Sequence, residues 1–140
     1  MSVVTMAHGQ KRIKLKGADD LRSGRKGDQR YTRLIGNVVF VQNQTTIYCD
    51  SAHFYRKENS VDAFGKVRII EGDSITITGS HLVYDGDAKT AKLRKNVVFT
   101  KLKTATLYTD NLDYARPTNL AYYFSGGKLV DDVNVLTSKR

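Results

Sequence analysis

Apolar residues in this chain fall in pairs two positions apart, and the pairs return about every thirty residues. The clearest copy runs from Ile77 to Phe99, where Ile77, Ser80, Leu82 and Tyr84 are followed by Ala91, Leu93, Val97 and Phe99. One copy earlier stand Ile47, Asp50, Ala52, Phe54, Val61 and Ala63, and a slip of one residue then brings Val67 and Ile69 onto Val97 and Phe99. One copy later stand Leu107, Asp110, Leu112, Tyr114, Ala121 and Tyr123. Alternation by two puts both side chains of a pair on one face of a strand, so each copy predicts a set of short strands with one apolar face. Self-similarity at a fixed period marks a repeat architecture, here all-β. Glu71-Gly72-Asp73, Asp85-Gly86-Asp87, Arg56-Lys57-Glu58-Asn59 and Arg116-Pro117-Thr118-Asn119 predict turns, because Gly, Asn and Asp tolerate positive φ and Pro presets one turn angle. Gly36-Asn37, Gly65-Lys66 and Lys95-Asn96 read as turn residues leading into a strand.

The two ends are less regular. Ala18-Asp19-Asp20-Leu21 echoes Cys49-Asp50-Ser51-Ala52, so a degenerate first copy is expected from near Ile13. Lys16 then stands where Ile47 and Ile77 stand later, and the charged stretch from Arg22 to Gln29 reads as a hairpin loop. In the last copy Tyr122-Tyr123-Phe124-Ser125-Gly126-Gly127 adds residues before Leu129 and an expected closing strand Val133-Asn134-Val135. An atypical terminal copy is what a cap or the end of a truncated array looks like. Ile13 to Leu21 and Val133 to Thr137 are the candidate end strands, whose unpaired backbone would pair with another module unless covered.

Composition changes little in this picture, and charge changes more. With 140 residues, 40% hydrophobic and 26% charged, the chain has the size and balance of one globular domain, expected over 11–140 alone or as a piece of a longer protein. Residues 1–10 lack the basic and apolar segments of a secretory signal and read as a disordered or added N-terminal end. No apolar run approaches the roughly eighteen residues of a membrane span. Cys49 has no partner for an internal disulfide and is expected to be a small buried apolar group. Between Lys11 and Arg33 nine basic residues face three aspartates, so this stretch carries plus six of the formal net charge of plus nine. His8, His53 and His81 have no metal-ligand spacing, the pairs Asp19-Asp20 and Asp131-Asp132 sit beside turns, and no nucleophile elbow or phosphate-binding glycine loop is present. The sequence therefore names no catalytic residue, metal or cofactor. Asp50 and Asp110 are expected to hydrogen-bond backbone at a bend.

The repeated phrase of glycine, asparagine, valine, any residue and an apolar residue carries a family resemblance. It appears as Gly36-Asn37-Val38-Val39-Phe40 with Asp50-Ser51-Ala52-His53-Phe54, as Gly65-Lys66-Val67-Arg68-Ile69 with Ser80-His81-Leu82-Val83-Tyr84, and as Lys95-Asn96-Val97-Val98-Phe99 with Asp110-Asn111-Leu112-Asp113-Tyr114. In this ordered repetition the chain resembles the OstA-like (LptA-like) family over roughly Ile13 to Thr137. The resemblance implies an open, twisted antiparallel β-jellyroll whose apolar trough holds the acyl chains of lipopolysaccharide or a related glycolipid. It implies no enzyme activity, a periplasmic location in a Gram-negative bacterium, and a role in carrying lipid to the outer membrane. Groove candidates are Phe40, Ile47, Phe54, Ile69, Ile77, Leu82, Tyr84, Leu93, Phe99, Leu107, Leu112, Tyr114 and Tyr123. Alternation alone fits an apolar groove and a closed core equally. Lys11, Arg12, Lys14, Lys16, Arg22, Arg25 and Lys26 are the candidates for an anionic head group or partner. The expected partners are the lipid, other OstA-like modules or outer-membrane assembly proteins, and copies of the chain itself, head to tail.

Two rival readings use the same residues. The sequence pI near 9.7 would suit nucleic acid or another anionic polymer on a basic sheet. The recurring aromatics Phe54, Tyr84, Tyr114 and Tyr123, however, belong to the inward set, while the charge gathers at the start, and stacking platforms need both on one exposed surface. A ligand-free spacer that assembles head to tail would need only the array and its ends.

Overall fold

The computed structural model describes residues 12–101, 105–116, 120–130 and 136–138; for 120, 122–130 and 136–138 the main-chain pairing alone is described. These residues form strands β1 (Lys14–Gly17), β2 (Asp20–Lys26), β3 (Gln29–Gln42), β4 (Thr45–Tyr55), β5 (Ser60–Glu71), β6 (Ile75–Asp85), β7 (Thr90–Lys101), β8 (Ala105–Ala115), β9 (Leu120–Val130) and β10 (Leu136–Ser138). They make one sheet in the order β1-β3-β4-β5-β6-β7-β8-β9-β10, with β2 also on β3, so the sheet does not close on itself. Neighbours from β1 to β9 are antiparallel, whereas β10 runs parallel to β9, with Leu136 opposite Ala121. The jellyroll expected from the resemblance is therefore antiparallel except at its last strand. A parallel partner cannot come from a tight turn, and a three-residue strand carries too little alternation to announce its direction.

The short strands read from the alternation are halves of long ones. Gly36-Asn37, Gly65-Lys66 and Lys95-Asn96 lie inside β3, β5 and β7, and all six residues have positive φ, between 46° and 81°. Each pair stands against a single residue on the next strand: Asp50 on β4, Ser80 on β6 and Asp110 on β8. Two residues opposing one make a bulge, which bends the strand and sharpens its twist. Every long strand is bent along one line, so the two halves of the sheet fold with their apolar faces together. The interior is one cluster of buried side chains from Ile13 to Ala121.

The repeated aspartate explains where glycine is required. A Cβ on Gly36 would stand 2.4 Å from Asp19 Oδ2, and one on Gly65 would stand 2.8 Å from Asp50 Oδ2. Where Ser80 takes the place of aspartate, the left-handed residue fifteen positions on is Lys95, φ 68°. The shorter serine removes the need for glycine, and the strain of a side chain at positive φ is what remains. Asp110 Oδ1 accepts the Asn96 amide at 3.3 Å, so this aspartate does bond backbone at the bend. Two copies earlier the contact is between side chains, with Asn37 Nδ2 donating to Asp19 Oδ2 at 2.9 Å.

The first copy departs from expectation in two places. The stretch from Arg22 to Gln29 is strand, not loop: β2 and β3 pair up to Lys26 opposite Gln29, leaving Gly27-Asp28 as a two-residue turn with Gly27 at φ 62°. Its charged side chains sit where the sheet end is open to water, so no apolar alternation marks the strand. Leu15, not Lys16, stands opposite Phe40 and takes the inward place of Ile47, because the register slips between Leu15 and Gly17. The N-terminal segment 1–10, Lys11, His8, Pro117 to Asn119 and the expected strand Val133–Val135 lie outside the described residues.

Gly65→Ala is expected to lower stability by about 2 kcal/mol, combining strain at φ 80° with the clash on Asp50. Combining it with Asp50→Ser should return part of that loss, by analogy with Ser80 and Lys95. Urea midpoints of the two single variants and the double variant measure the coupling; strictly additive losses would rule out the aspartate contact as the reason for glycine.

Candidate functional site

Twelve of the thirteen groove candidates share one surface. Phe40, Ile47, Phe54, Ile69, Ile77, Leu82, Tyr84, Leu93, Phe99, Leu107, Leu112 and Tyr114 all point into the fold, and none is more than 3% exposed. The cross-strand rungs follow the sequence repeat: Phe40–Ile47–Ile69–Ile77–Phe99–Leu107 in one half, and Phe54–Val61–Tyr84–Ala91–Tyr114 in the other. Tyr123 stands in β9 with Leu112 opposite, and its side chain lies outside the described residues. The inner surface is thus continuous from strand to strand, and its side chains pack on one another across the fold. Phe40 and Phe54 meet edge to face at 5.1 Å between ring centres, and Phe99 and Tyr114 tilt together at 6.1 Å.

The long side opposite the bulge line is closed by polar contacts between two rows of turns. Gln42 Nε2 donates to the Gly86 carbonyl at 2.7 Å, and the Tyr84 hydroxyl donates to Gln42 Oε1. Farther along, Arg116 Nε pairs with Glu71 Oε2 at 2.7 Å, and Thr45 Oγ1 donates to Glu71 Oε1. At the first copy the Ile13 amide donates to Asn59 Oδ1 at 2.8 Å, and the Arg12 guanidinium donates to the Arg56 carbonyl. Gln42, Thr45 and Asn59 are buried in this seam, and of the three the sequence singled out only Asn59, as a turn residue. Apart from Thr45 with Glu71, which are paired across β4 and β5, the seam joins residues more than forty positions apart, and no local pattern could announce it.

The β2–β3 end of the trough is open and basic. There the inner face continues with Leu21, 54% exposed opposite buried Leu34, and with Arg25 opposite Arg30. A cleft of about 880 Å³ lies between this hairpin and the β4–β5 turn, lined by Arg25, Arg30, Arg56 and Lys57 with Asp28 and Glu58 at its edges and Thr32 and Phe54 beneath. Of the described cations expected to meet an anion, only Arg25 lines it. Lys14, Lys16, Arg22 and Lys26 are exposed on the outer face, where Arg22 pairs with Asp20 at 3.1 Å, and Arg12 is tied to the seam. Sequence reasoning missed Arg56 and Lys57, which read only as turn residues, and Arg30, which it counted but did not choose.

The outer face carries a stripe that the sequence did not suggest. Tyr31 stacks on His53 at 4.5 Å, His53 meets Phe64 edge to face at 5.4 Å, and Phe64 stacks on His81 at 4.9 Å. Burial first, and then the charge of Arg33, lowers the pKa of His53 from its ordinary value. Among the described residues no group of His, Cys, Asp and Glu is arranged to hold a metal ion.

Two predictions follow from the seam and the core. Replacing Arg116 by Gln should cost about 1–3 kcal/mol by leaving Glu71 half-buried without its cation, and the Glu71→Gln/Arg116→Gln pair should cost less than the sum of the single changes. Additive urea midpoints would remove this ion pair from the seam. Burial pushes the Cys49 thiol and the Tyr114 hydroxyl up to about 12. Both are neutral in the fold and ionise more readily in the unfolded chain. Their stabilisation is therefore complete below about pH 9 and is lost progressively as pH rises from about 9 to 12. Cys49→Ala should flatten the earliest part of that loss in urea midpoints taken across the alkaline range; an unchanged pH profile would contradict the assignment.

Comparison with known proteins places this geometry. The family described as OstA-like protein matches residues 10–140. No curated protein is a significant match to the chain. Among solved structures the fold is similar to LptH of Pseudomonas aeruginosa, the LptA-homologous periplasmic component of that organism's lipopolysaccharide transport device. The two align with a TM-score of 0.72 at 13% identity, covering 88% of this chain and 96% of LptH. At that identity the likeness concerns the fold: an open all-β sheet, bent on itself, of the LptA type. With the repeat, the bulge line and the family match agreeing over nearly its whole length, this chain belongs to the OstA-like protein family.

Proposed function

We propose that this protein binds lipopolysaccharide or a related glycolipid along its inner face and carries it across the periplasm of a Gram-negative bacterium towards the outer membrane, without chemistry on the lipid. The observation that supports this reading most is the unbroken apolar inner face, which crosses consecutive strands of a sheet that remains open at both ends. Acyl chains lose about 25 cal/mol of unfavourable hydration for each Å² they bury, and a surface extended along the array can receive them step by step. Twelve of the groove candidates are packed against one another, so acyl chains enter between the halves by displacing side chains, either from the open β2–β3 end or by parting the seam. The seam suits such parting, because its polar groups find water when they separate. Phe54, Leu82, Tyr84 and the other groove candidates named from the sequence are the proposed acyl contacts.

Among the described residues no further strand pairs with the outer edges of β1, β2 and β10, and these edges extend the same reading to assembly. Strand addition at these edges would join other OstA-like modules, outer-membrane assembly proteins or further copies of this chain head to tail. Nucleic acid fits the surface less well. Phe54, Tyr84 and Tyr114 are buried, and the outer rings from Tyr31 to His81 already stack on one another.

Titration with fluorescent lipopolysaccharide at low and high salt, with a DNA duplex as competitor, tests the proposal. Saturable binding that survives high salt and ignores DNA is the expected result. Lipid signal lost at high salt and displaced by DNA would transfer the function to the basic surface, and no binding at all would leave a head-to-tail spacer.

A further inference from the structure

We infer that the cleft at the β2–β3 end is a phosphate-binding subsite, which receives the phosphorylated head of an amphiphile while its chains continue onto the apolar inner face; this rests on the glycolipid reading above. Arg25 and Arg30 are directly opposite each other across the β2–β3 pair. Like charges so placed repel, and neither forms an ion pair with any described residue. On the facing side the Arg56 guanidinium lies 4.9 Å over the Phe54 ring, and its carbonyl is tied by Arg12. Lys57 follows it, also without an ion pair among the described residues. Asp28 and Glu58 leave the cleft with an excess of two positive charges.

Three guanidinium groups and an ammonium on two walls suit a doubly charged phosphate, since the planar guanidinium matches phosphate oxygens two at a time. The position chooses the kind of phosphate. Phe54 and Thr32 line the cleft with these cations, and two inward positions along β2 from Arg25 stands Leu21, 54% exposed on the same face. A soluble phosphate would use the cations alone. A phosphorylated lipid would use both, with head and chains separated in the order that the surface presents them.

The test compares binding of diphosphorylated lipid A and of the same lipid A with its phosphates removed. The proteins are the wild type, the Arg30→Gln/Arg56→Gln variant, and a Lys14→Gln/Lys16→Gln control that loses equal charge from the outer face. The cleft variant should lose about tenfold or more in affinity for the phosphorylated lipid, keep its affinity for the dephosphorylated one, and show a shallower salt dependence. The control should keep both affinities. Equal loss for both lipids, the same loss in the control, or no loss would each overturn the subsite. Inorganic pyrophosphate, followed by phosphorus NMR line broadening, separates this proposal from the one beneath it. If wild type binds neither lipid but binds pyrophosphate, and the cleft variant alone loses that binding, the anion site stands for soluble phosphates and the glycolipid reading falls. If wild type binds neither lipid nor pyrophosphate, both fall.

Discussion

Two consecutive left-handed residues in the middle of a long strand are the constraint on which this structure depends. Without the bulges at Gly36-Asn37, Gly65-Lys66 and Lys95-Asn96, strands of eleven to fourteen residues would form a broad sheet with one face of large apolar side chains in water. The bulges turn each strand back over its own apolar face, and because they recur in register they set a single fold line along the array. That line explains both the depth of the interior and its extension from one end of the sheet to the other. An aspartate from an earlier part of the chain packs against the bulge glycine, and a serine stands in the place where lysine replaces it, so the bend is built from a matched pair of residues.

A fold bent on one side must be closed on the other, and here the chemistry changes from apolar to polar. The seam of Gln42 with Tyr84, Glu71 with Arg116 and Ile13 with Asn59 joins turns that are distant in sequence. Each of these groups bonds well to water when freed, unlike the side chains beneath them. The molecule therefore has one edge held by continuous backbone and another held by exchangeable bonds. That asymmetry suits a surface proposed to admit and release a lipid without unfolding. The basic cleft adds polarity of another kind, at the β2–β3 end of the array.

Much of this organisation was legible in the chain. A thirty-residue repeat of alternating apolar positions determined an all-β array, its inward residues and its family, because periodicity of two and the demand for positive φ are local properties of the backbone. What only the tertiary structure decided is of three kinds. Short strands became halves of bent long ones, since a left-handed pair reads alike whether it ends a strand or bends it. Leu15 displaced Lys16 because a register slip is set by pairing with β3 and not by the alternation within β1. The seam, the outer stripe from Tyr31 to His81 and the cleft that joins Arg25 and Arg30 to Arg56 and Lys57 arise from residues on separate hairpins, whose meeting depends on how the whole sheet folds. Sequence thus determined which face each repeated residue presents; only the fold decided which distant residues face one another, because that is a property of the bend and not of any segment.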